Sequence, residues 1–271
     1  MSALARAALF IAPLSLFLLA ATLLAPNPPL AAAGQPAAPL TPPAAALRIW
    51  ATGDLTYGAG WRVADHPRLT GDFNRDGRTD LVGFGDDDVL VALSTGSNFA
   101  VSSWSDDTFT NEPGWHPTVA PRLVGDFDGD RRTDVIGFAN GVHVGESTGS
   151  TFDFVVWTYD ELDYVHGWEV DKHPRLVGNF DGDERDDVAG FGNQNVWVGL
   201  STGGAANLDI WTSYQFTYNT GWRVDKHPRL VGDFDGNGSD DVAGIGGQNI
   251  WLLLSLNETA YLPFVANPPT P

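Results

Sequence analysis

The sequence contains one unit that is repeated four times. An acidic segment begins at Asp72, Asp126, Asn179 and Asp233, at spacings of 54, 53 and 54 residues. Four markers in one register predict an array of similar structural units that bury their apolar faces against their neighbours. The other three markers, with the same spacings, are Trp50, Trp104, Trp157 and Trp211; Trp61, Trp115, Trp168 and Trp222; and Arg68, Arg122, Arg175 and Arg229.

Each unit has the residue pattern of short β-strands. Apolar residues alternate with period two, no stretch has the apolar stripe of a helix, and Gly and Pro separate the segments. In the first unit the predicted strands are "HPRLTGDF", "DLVGFG", "VLVALST" and "NFAVSSW". About 54 residues and four antiparallel strands are typical of a propeller blade. We therefore predict an all-β fold, a β-propeller of four repeats over residues 47–256.

The two ends of the array suggest how the ring closes. The last unit lacks a Trp-bearing fourth strand, whereas the segment "LRIWAT", residues 47–52, precedes the first unit and contains Trp50. We predict that this N-terminal strand pairs with strands within residues 229–255, because closure removes exposed sheet edges. The expected product is a monomeric four-bladed ring, and a larger ring made of several chains is the alternative.

The acidic segments place oxygen atoms at positions 1, 3, 5 and 9 and a backbone carbonyl at position 7. Such a shell suits calcium, and without a cation these carboxylates would repel one another by on the order of several kcal/mol. We predict up to four Ca²⁺ ions; the alternative is a set of polar hairpin turns. The predicted metal ligands are Asp72, Asn74, Asp76, Arg78 and Asp80; Asp126, Asp128, Asp130, Arg132 and Asp134; Asn179, Asp181, Asp183, Arg185 and Asp187; and Asp233, Asp235, Asn237, Ser239 and Asp241.

These segments differ from EF-hand loops in two respects. Position 12 of the first segment is Gly83 rather than Glu, so the Asp at position 9 is expected to take over the bidentate role. Position 6, where a sharp turn favours Gly, holds Gly77 and Gly238 in the outer loops but Arg131 and Glu184 in the inner ones. We expect strained turns or weaker calcium binding in loops two and three.

Composition narrows the class of protein and its partners. The formal net charge of −19 disfavours binding to nucleic acid, which needs clustered Lys and Arg. The ten Trp residues indicate a folded chain, because disordered acidic chains have few aromatic residues. The absence of Cys excludes disulfides, thiolate metal sites and a Cys nucleophile.

The N-terminal 46 residues follow a different pattern. Arg6 precedes an apolar run over residues 7–24, and Ala31 and Ala33 form a small-x-small cleavage pattern. We predict a signal peptide over residues 1–33, with an uncleaved membrane anchor as the alternative. The expected protein is secreted or displayed on the extracellular surface, with no membrane insertion after signal removal. The remaining segments are a Pro/Ala-rich linker, residues 34–46, and a C-terminal tail, residues 257–271.

The repeated segment "PRLVGDFDGDRRTDVIGF" resembles the FG-GAP or VCBS-type repeats of integrin α-subunit propellers. The fuller unit "GWRVDKHPRLVGDFDG" is similar to fungal seven-bladed propeller lectins that bind N-acetylglucosamine. The resemblance covers residues 47 to about 256 and implies a propeller with calcium loops. For the ligand it implies a glycan, with a surface protein as the alternative. The four copies depart from the seven that are usual in the family.

Lectins of this kind hold sugars between neighbouring blades, and sugar binding uses an aromatic face beside polar groups. The candidate ligand-binding residues in this chain flank the "HPR" segment. Trp residues in register are also typical of the core between blades, and the Arg of each "HPR" or "APR" is expected to donate to carbonyls or to pair with an acidic loop. The candidates are Trp61, His66, Trp168, His173, Trp222 and His227.

We expect no enzymatic activity. The segments "GESTG" and "GLSTG" match the G-x-S-x-G motif, but they recur at one position of the unit and precede another strand, which predicts a hairpin turn. Two functions therefore remain from the sequence. The first is a calcium-binding, lectin-like module, and the second is a cell-surface adhesion or protein-interaction scaffold that binds no sugar.

Overall fold

The computed structural model describes residues 45–256, except residue 106, residues 112–113 and residues 159–160. The predicted signal peptide, the linker up to residue 44 and the C-terminal tail lie outside the described residues. All described strands belong to one of the two units into which the chain divides, Arg48–Pro271. In the described part, no helix has both the length and the apolar character needed to cross a membrane.

The described residues form fifteen strands in four antiparallel sheets. The first sheet has the order β1, β2, β3, β4, and each later sheet also follows chain order. Two short 3₁₀ helices, Tyr57–Ala59 and Tyr218–Thr220, lie between strands or before them. The strands are β1 Arg68–Gly71, β2 Asp80–Phe84, β3 Val89–Ser94, β4 Phe99–Ser105, β5 Arg122–Gly125, β6 Asp134–Ala139, β7 Gly141–Ser147, β8 Phe152–Thr158, β9 Arg175–Gly178, β10 Asp187–Phe191, β11 Asn195–Ser201, β12 Ala206–Ser213, β13 Arg229–Gly232, β14 Asp241–Ile245 and β15 Ile250–Leu253.

The predicted strands of the repeat are confirmed. The first three sheets have four strands each and the fourth has three, so the fold is all-β and propeller-like. The second strand of each unit is buried on both faces, as in β6, where every residue is buried. Each such strand lies between two other strands of its own sheet, and in the second and third units it is also covered by a sheet on either side, which explains its continuous apolar run.

The predicted closure by the N-terminal strand is wrong. In the described part of the chain, residues 47–52 form no strand, and the Trp50 carbonyl accepts a hydrogen bond from the Phe99 N–H at 3.1 Å. Phe99 begins β4 of the first sheet, not a strand of the last sheet. The Trp50 and Phe99 rings lie 5.3 Å apart, much as the Trp104 and Phe152 rings lie 5.0 Å apart. Trp50 therefore packs against the first sheet in the same way that Trp104, which is on the first sheet, packs against the second.

Successive sheets contact one another in chain order. The first strands of the sheets meet as β1 with β5, β5 with β9, and β9 with β13, and the described residues show no comparable contact between β13 and β1. Phe73 of the first unit and Phe152 of the second pack edge to face at 6.2 Å in one apolar cluster, which places the core between sheets. A closed ring is not observed in the described residues, and the closed propeller stays a prediction.

The Arg residue at the start of each sheet is a carbonyl donor, as predicted. Arg175 donates from Nε to the Leu162 carbonyl at 2.9 Å and from Nη1 to the His173 carbonyl at 2.9 Å. Its guanidinium lies 5.1 Å from the centre of the Trp168 ring. Burial lowers the pKa of Arg175 to about 10. Among the described residues, no ion pair joins these Arg side chains to an acidic loop, so that alternative is wrong.

Candidate functional site

Each acidic loop follows the first strand of its sheet and folds around the carboxylate or amide at position 1. In loop two, Asp126 accepts from the Gly129 N–H through Oδ1 and from the Arg131 N–H through Oδ2, both at 2.8 Å. The side chains at positions 3 and 5 also accept loop amides, Asp128 from the Asp130 N–H at 2.9 Å and Asp130 from the Arg132 N–H at 2.8 Å. The loops are therefore ordered by their own backbone N–H groups.

The Asp at position 9 ties the loop to the sheet. Asp134 is completely buried, and its two oxygens accept from the Phe127 N–H at 2.9 Å and the Ser147 N–H at 2.8 Å. Burial raises the pKa of Asp134 to about 8 and that of Asp187 to about 7. Both oxygens expected to bind calcium already accept one backbone hydrogen bond each, so this residue ties the loop to the sheet. A carboxylate has about four acceptor sites, so each oxygen can still bind a cation as well.

Two of the four loops bring three carboxylates together. In each of these groups the ligand atoms lie within 4.8 Å of one another. Loops one, three and four each have one Asn at a predicted ligand position, so the grouping depends on the placement of the side chains and not on the number of Asp residues. The groups are Asp126, Asp128 and Asp130 in loop two, and Asp233, Asp235 and Asp241 in loop four.

The Arg at position 7 supplies a positive charge inside loops one to three. The guanidinium of Arg78 pairs with Asp76, that of Arg132 with Asp130, and that of Arg185 with Asp183. Sequence analysis considered only the backbone carbonyls of these residues. Loop four has Ser239 at this position and Asn237 at position 5. Loop four is thus an acidic loop with no Arg of its own to offset its charge.

Position 6 has a left-handed backbone in all four loops. The φ angles are +80° at Gly77, +70° at Arg131, +77° at Glu184 and +90° at Gly238. Residues with a Cβ atom are strained in this region. The predicted strain in loops two and three is confirmed.

The predicted ligand-binding residues form Trp and His pairs, but the Trp rings are largely buried. The exposed fractions are 8% for Trp61, 5% for Trp168 and 6% for Trp222. Each ring packs against a Gly in the second strand of its sheet, where a side chain would not fit. A Cβ atom added at Gly190, for example, would lie 2.9 Å from Trp168. The Trp–His pairs are Trp61 with His66 at 5.2 Å, Trp168 with His173 at 5.6 Å and Trp222 with His227 at 5.4 Å between ring centres.

The His of each pair is held as one tautomer. The Glu169 N–H donates to Nδ1 of His173 at 3.0 Å, so the proton lies on Nε2, which donates to Oδ1 of Asn193 at 3.1 Å. Burial lowers the pKa of His173. The backbone N–H groups of Arg62 and Arg223 donate to His66 and His227 in the same way. Through this contact each of the three His residues orders the turn before the first strand of its sheet.

A cavity of about 230 Å³ in the third unit includes one of these pairs. It lies between the segment before β9 and the turn between β10 and β11, and Nε1 of Trp168 donates to Oε2 of Glu161 at 3.1 Å on its wall. The half-buried Trp197 on β11 also lines it. The full lining is Glu161, His166, Gly167, Trp168, His173, Gly192, Asn193, Gln194, Asn195 and Trp197.

Sequence analysis missed Trp197 and the turn that precedes it. The third unit has the segment "GNQNVW" from Gly192 to Trp197, and the fourth has "GGQNIW" from Gly246 to Trp251. The first two units have Leu90 and His143 at the position of this Trp. The residues that distinguish this cavity from the same place in the first two units are therefore ones that differ between units, and not ones common to all four.

The hairpin interpretation of the G-x-S-x-G segments is confirmed. Ser201 ends β11, the turn continues through Gly203, and β12 begins at Ala206. The Ser201 hydroxyl is buried and donates to the Phe127 carbonyl of the preceding unit. This Ser links two sheets and is not placed as a nucleophile.

Comparison with known proteins identifies a lectin among the similar structures. No protein-family model matches the chain, and no curated protein matches it. A lectin from Agrocybe aegerita that recognises non-reducing terminal N-acetylglucosamine matches with a TM-score of 0.70 and 32% identity. The match covers 75% of this chain and 52% of the lectin, so the chain spans about half the length of that lectin.

A second match shows the fold alone. The Photorhabdus luminescens Tc holotoxin pore matches with a TM-score of 0.50 and 16% identity, over 72% of this chain and 9% of the toxin chain. The two matches agree with the propeller-like repeats. Membership of the FG-GAP or VCBS family stays a prediction.

Proposed function

We propose that the chain is a lectin-like module that binds glycans ending in N-acetylglucosamine, through the cavity of the third unit. The observation that carries this proposal is the half-buried Trp197 beside the polar groups of Asn193, Gln194 and Asn195 in one cavity. An aromatic surface packs on the C–H face of a sugar ring, and amide groups orient its hydroxyl and acetamido groups. The similarity to a lectin of this specificity supports the ligand class.

The buried residues of the cavity have a supporting role in this proposal. Trp168 is 5% exposed, so little of its surface is available to a ligand. Its Nε1 holds Glu161, and His173 holds Asn193. These contacts fix two polar groups before a ligand arrives, which lowers the entropy cost of binding. The fourth unit has the same Gln, Asn and Trp in "GGQNIW", with Gly247 in place of Asn193, and we propose a second, related site there.

A glycan array probed with wild-type chain and with Trp197→Leu tests the proposal. The first unit has Leu90 at this position, so the fold accepts Leu there. Wild type is expected to bind glycans with terminal N-acetylglucosamine, and the variant is expected to lose most of this signal at an unchanged melting temperature. Binding to no glycan, or equal binding by both proteins, would contradict the proposal and favour the protein-interaction scaffold.

We further propose that the acidic loops bind calcium and that loop four binds most tightly. Asp233, Asp235 and Asp241 supply carboxylate oxygens there, the hard donors that Ca²⁺ prefers, and Ser239 leaves the loop without a guanidinium. Bound calcium would offset the mutual repulsion of these groups. At a concentration tenfold above Kd, each occupied site adds about 1.4 kcal/mol to the free energy of unfolding.

We propose that the protein works outside the cell. The apolar run over residues 7–24 and the Pro/Ala-rich segment after it support export. Extracellular calcium would occupy sites of the affinity that is usual for extracellular modules, about 10⁻⁴ to 10⁻³ M. Secretion is tested by finding the chain in the culture medium of its host with the first 33 residues removed.

A further inference from the structure

The last sheet has an apolar face that the earlier sheets bury. Ile250 and Leu252 on β15 are 70% and 49% exposed. The residues at the same places on β7, Val142 and Val144, are 1% and 0% exposed because the next sheet covers them. Phe234 is 49% exposed, whereas its counterpart Phe127 is completely buried. We call this surface the tail face; it consists of Leu230, Phe234, Ile250 and Leu252.

The opposite end of the array has the complementary half of the same interface. Between the second and third sheets, Val170 of the later unit lines one small cavity with Pro121 and Leu123 of the earlier unit. In the first unit the counterpart of Val170 is Val63, which is 92% exposed. The counterpart of Leu123 in the last unit is Leu230, which is 52% exposed. We call the surface that contains Val63 and Thr79 the head face.

The polar contacts between sheets repeat in the same way. The Asp72 N–H donates to Oγ1 of Thr133 at 3.0 Å, and the Thr133 N–H donates to the Asp72 carbonyl at 2.8 Å. The same pair of contacts joins the second sheet to the third and the third to the fourth. At the ends, the exposed Thr79 has the place of Thr133, and Asp233 has the place of Asp72. The head and tail faces therefore match in polar groups as well as in apolar ones.

The aromatic residues at the ends are also complementary. Within the array, Trp104 on β4 contacts Phe73 of its own unit at 6.4 Å and Phe152 of the next at 5.0 Å between ring centres. Trp50 contacts Phe99 and lies in no strand of the four described sheets. Phe234 belongs to a sheet with no fourth strand among the described residues. The segment around Trp50 therefore provides a Trp that could pack on Phe234 as Trp104 packs on Phe73.

We propose that a second copy of this chain docks its head face on the tail face, with its Trp50 segment beside β15. The junction continues the contacts that already join sheet to sheet. The interface is heterologous, because two different surfaces meet, so each junction leaves one head and one tail face open for further copies or for ring closure. The occupant is a second copy rather than the chain's own first sheet, because the described β13 and β1 have no contact comparable to those between the first strands of successive sheets.

Charged substitutions at the two faces give a test specific to a heterologous interface. Val63→Asp blocks the head face and Leu230→Asp blocks the tail face; both side chains are exposed, so the fold is expected to be retained. Sedimentation velocity of the full chain should show wild-type assemblies of two or more copies and monomers of either variant alone. A mixture of the two variants should form dimers and nothing larger, since one competent head meets one competent tail.

The control is Val165→Asp, which is 54% exposed but lies in an inner unit. This variant should assemble like wild type. Monomeric wild-type protein at every concentration would overturn the proposal and indicate closure within one chain. Monomers in the mixture of Val63→Asp and Leu230→Asp, or assembly of either variant alone, would also overturn it. Circular dichroism of each variant confirms that any loss of assembly is not loss of fold.

Discussion

The hydroxyl of Ser147 in the second unit donates a hydrogen bond to the carbonyl of Phe73 in the first unit, at 2.6 Å. Ser147 is 2% exposed, and Phe73 is completely buried. The Ser therefore satisfies a backbone group that no strand of its own sheet reaches. It is the central residue of one G-x-S-x-G segment, and its role is to join two sheets.

Ser147→Ala is expected to lower the free energy of unfolding by about 1–3 kcal/mol, because the Phe73 carbonyl would remain buried without its donor. Urea unfolding measures the change. The matched control is Ser94→Ala in the first unit, since among the described residues the Ser94 hydroxyl donates to no carbonyl of another sheet and accepts the Gly96 N–H at 3.4 Å. Both changes should be measured in the Leu230→Asp background to avoid assembly. An equal cost at both positions would contradict the linking role.

Glu184→Gly is expected to raise the free energy of unfolding by roughly 0.5–1 kcal/mol. Glu184 has φ of +77°, where a Cβ atom costs more than the extra backbone entropy of Gly. Gly238→Ala at the same place in loop four should lower stability, although nothing lies within 4 Å of the added Cβ atom. Thermal melting of both variants checks the pair. Destabilisation by Glu184→Gly would show that the side chain contributes more than its strain.

Acidification is expected to destabilise the third unit through His173. Burial lowers the pKa of His173 in the folded chain below its usual value of about 6.5. The folded state therefore favours neutral His173, and this stability is present above the unfolded pKa and is lost as the pH falls through the folded pKa. Protonation also breaks the acceptor role of Nδ1 toward the Glu169 N–H.

NMR titration of the imidazole and melting curves between pH 7.5 and about 5 measure this dependence. The fall in melting temperature over this range should be smaller in His173→Gln, whose side chain does not titrate. A folded pKa above that of an unfolded peptide, or an equal pH dependence in wild type and variant, would contradict the assignment of a neutral His173.

Arg132→Ser is expected to tighten calcium binding in loop two by several-fold. The change removes the guanidinium from Asp130 and gives loop two the Ser that loop four has at Ser239. Calorimetric titration with calcium chloride measures the affinity. Arg62→Ser removes the same charge away from the acidic loops and should leave the affinity unchanged. Equal effects of both changes would point to net charge, and no calcium binding by wild type would remove the calcium proposal.

The strands and the buried Arg donors were predictable from the sequence because they recur in every unit. Residues that recur in every unit are those that every unit needs for packing. Trp168, for example, packs against Arg175 in the core, which is one of the two roles predicted for the repeated Trp residues. The cavity was not predictable in the same way. Trp197 is absent from the first two units, and its exposed surface follows from the turn at Gly192, which only the structure shows.

Whether the ring closes could not be predicted from the residue pattern, because the pattern does not contain the angle between successive sheets. The pattern predicted a fourth strand around Trp50 that pairs with the last sheet, but residues 47–52 form no strand and Trp50 contacts Phe99 of the first sheet. Whether the first and last sheets meet depends on the angle between successive sheets, which is set by packing at each interface. The sheets pack closely, as at Gly71, where an added Cβ atom would clash with the Thr133 side chain, and no local sequence rule specifies the angle that results.

The most direct test of the proposed function is a calorimetric titration of the wild-type chain and Trp197→Leu with the methyl glycoside of N-acetylglucosamine, with the galactose glycoside as the control ligand. The account predicts saturable binding of the N-acetylglucosamine glycoside to wild type, at least tenfold weaker binding to Trp197→Leu, which is a change of about 1.4 kcal/mol or more, and no binding of the galactose glycoside. Heats equal to dilution for wild type, or the same affinity in both proteins, would contradict it.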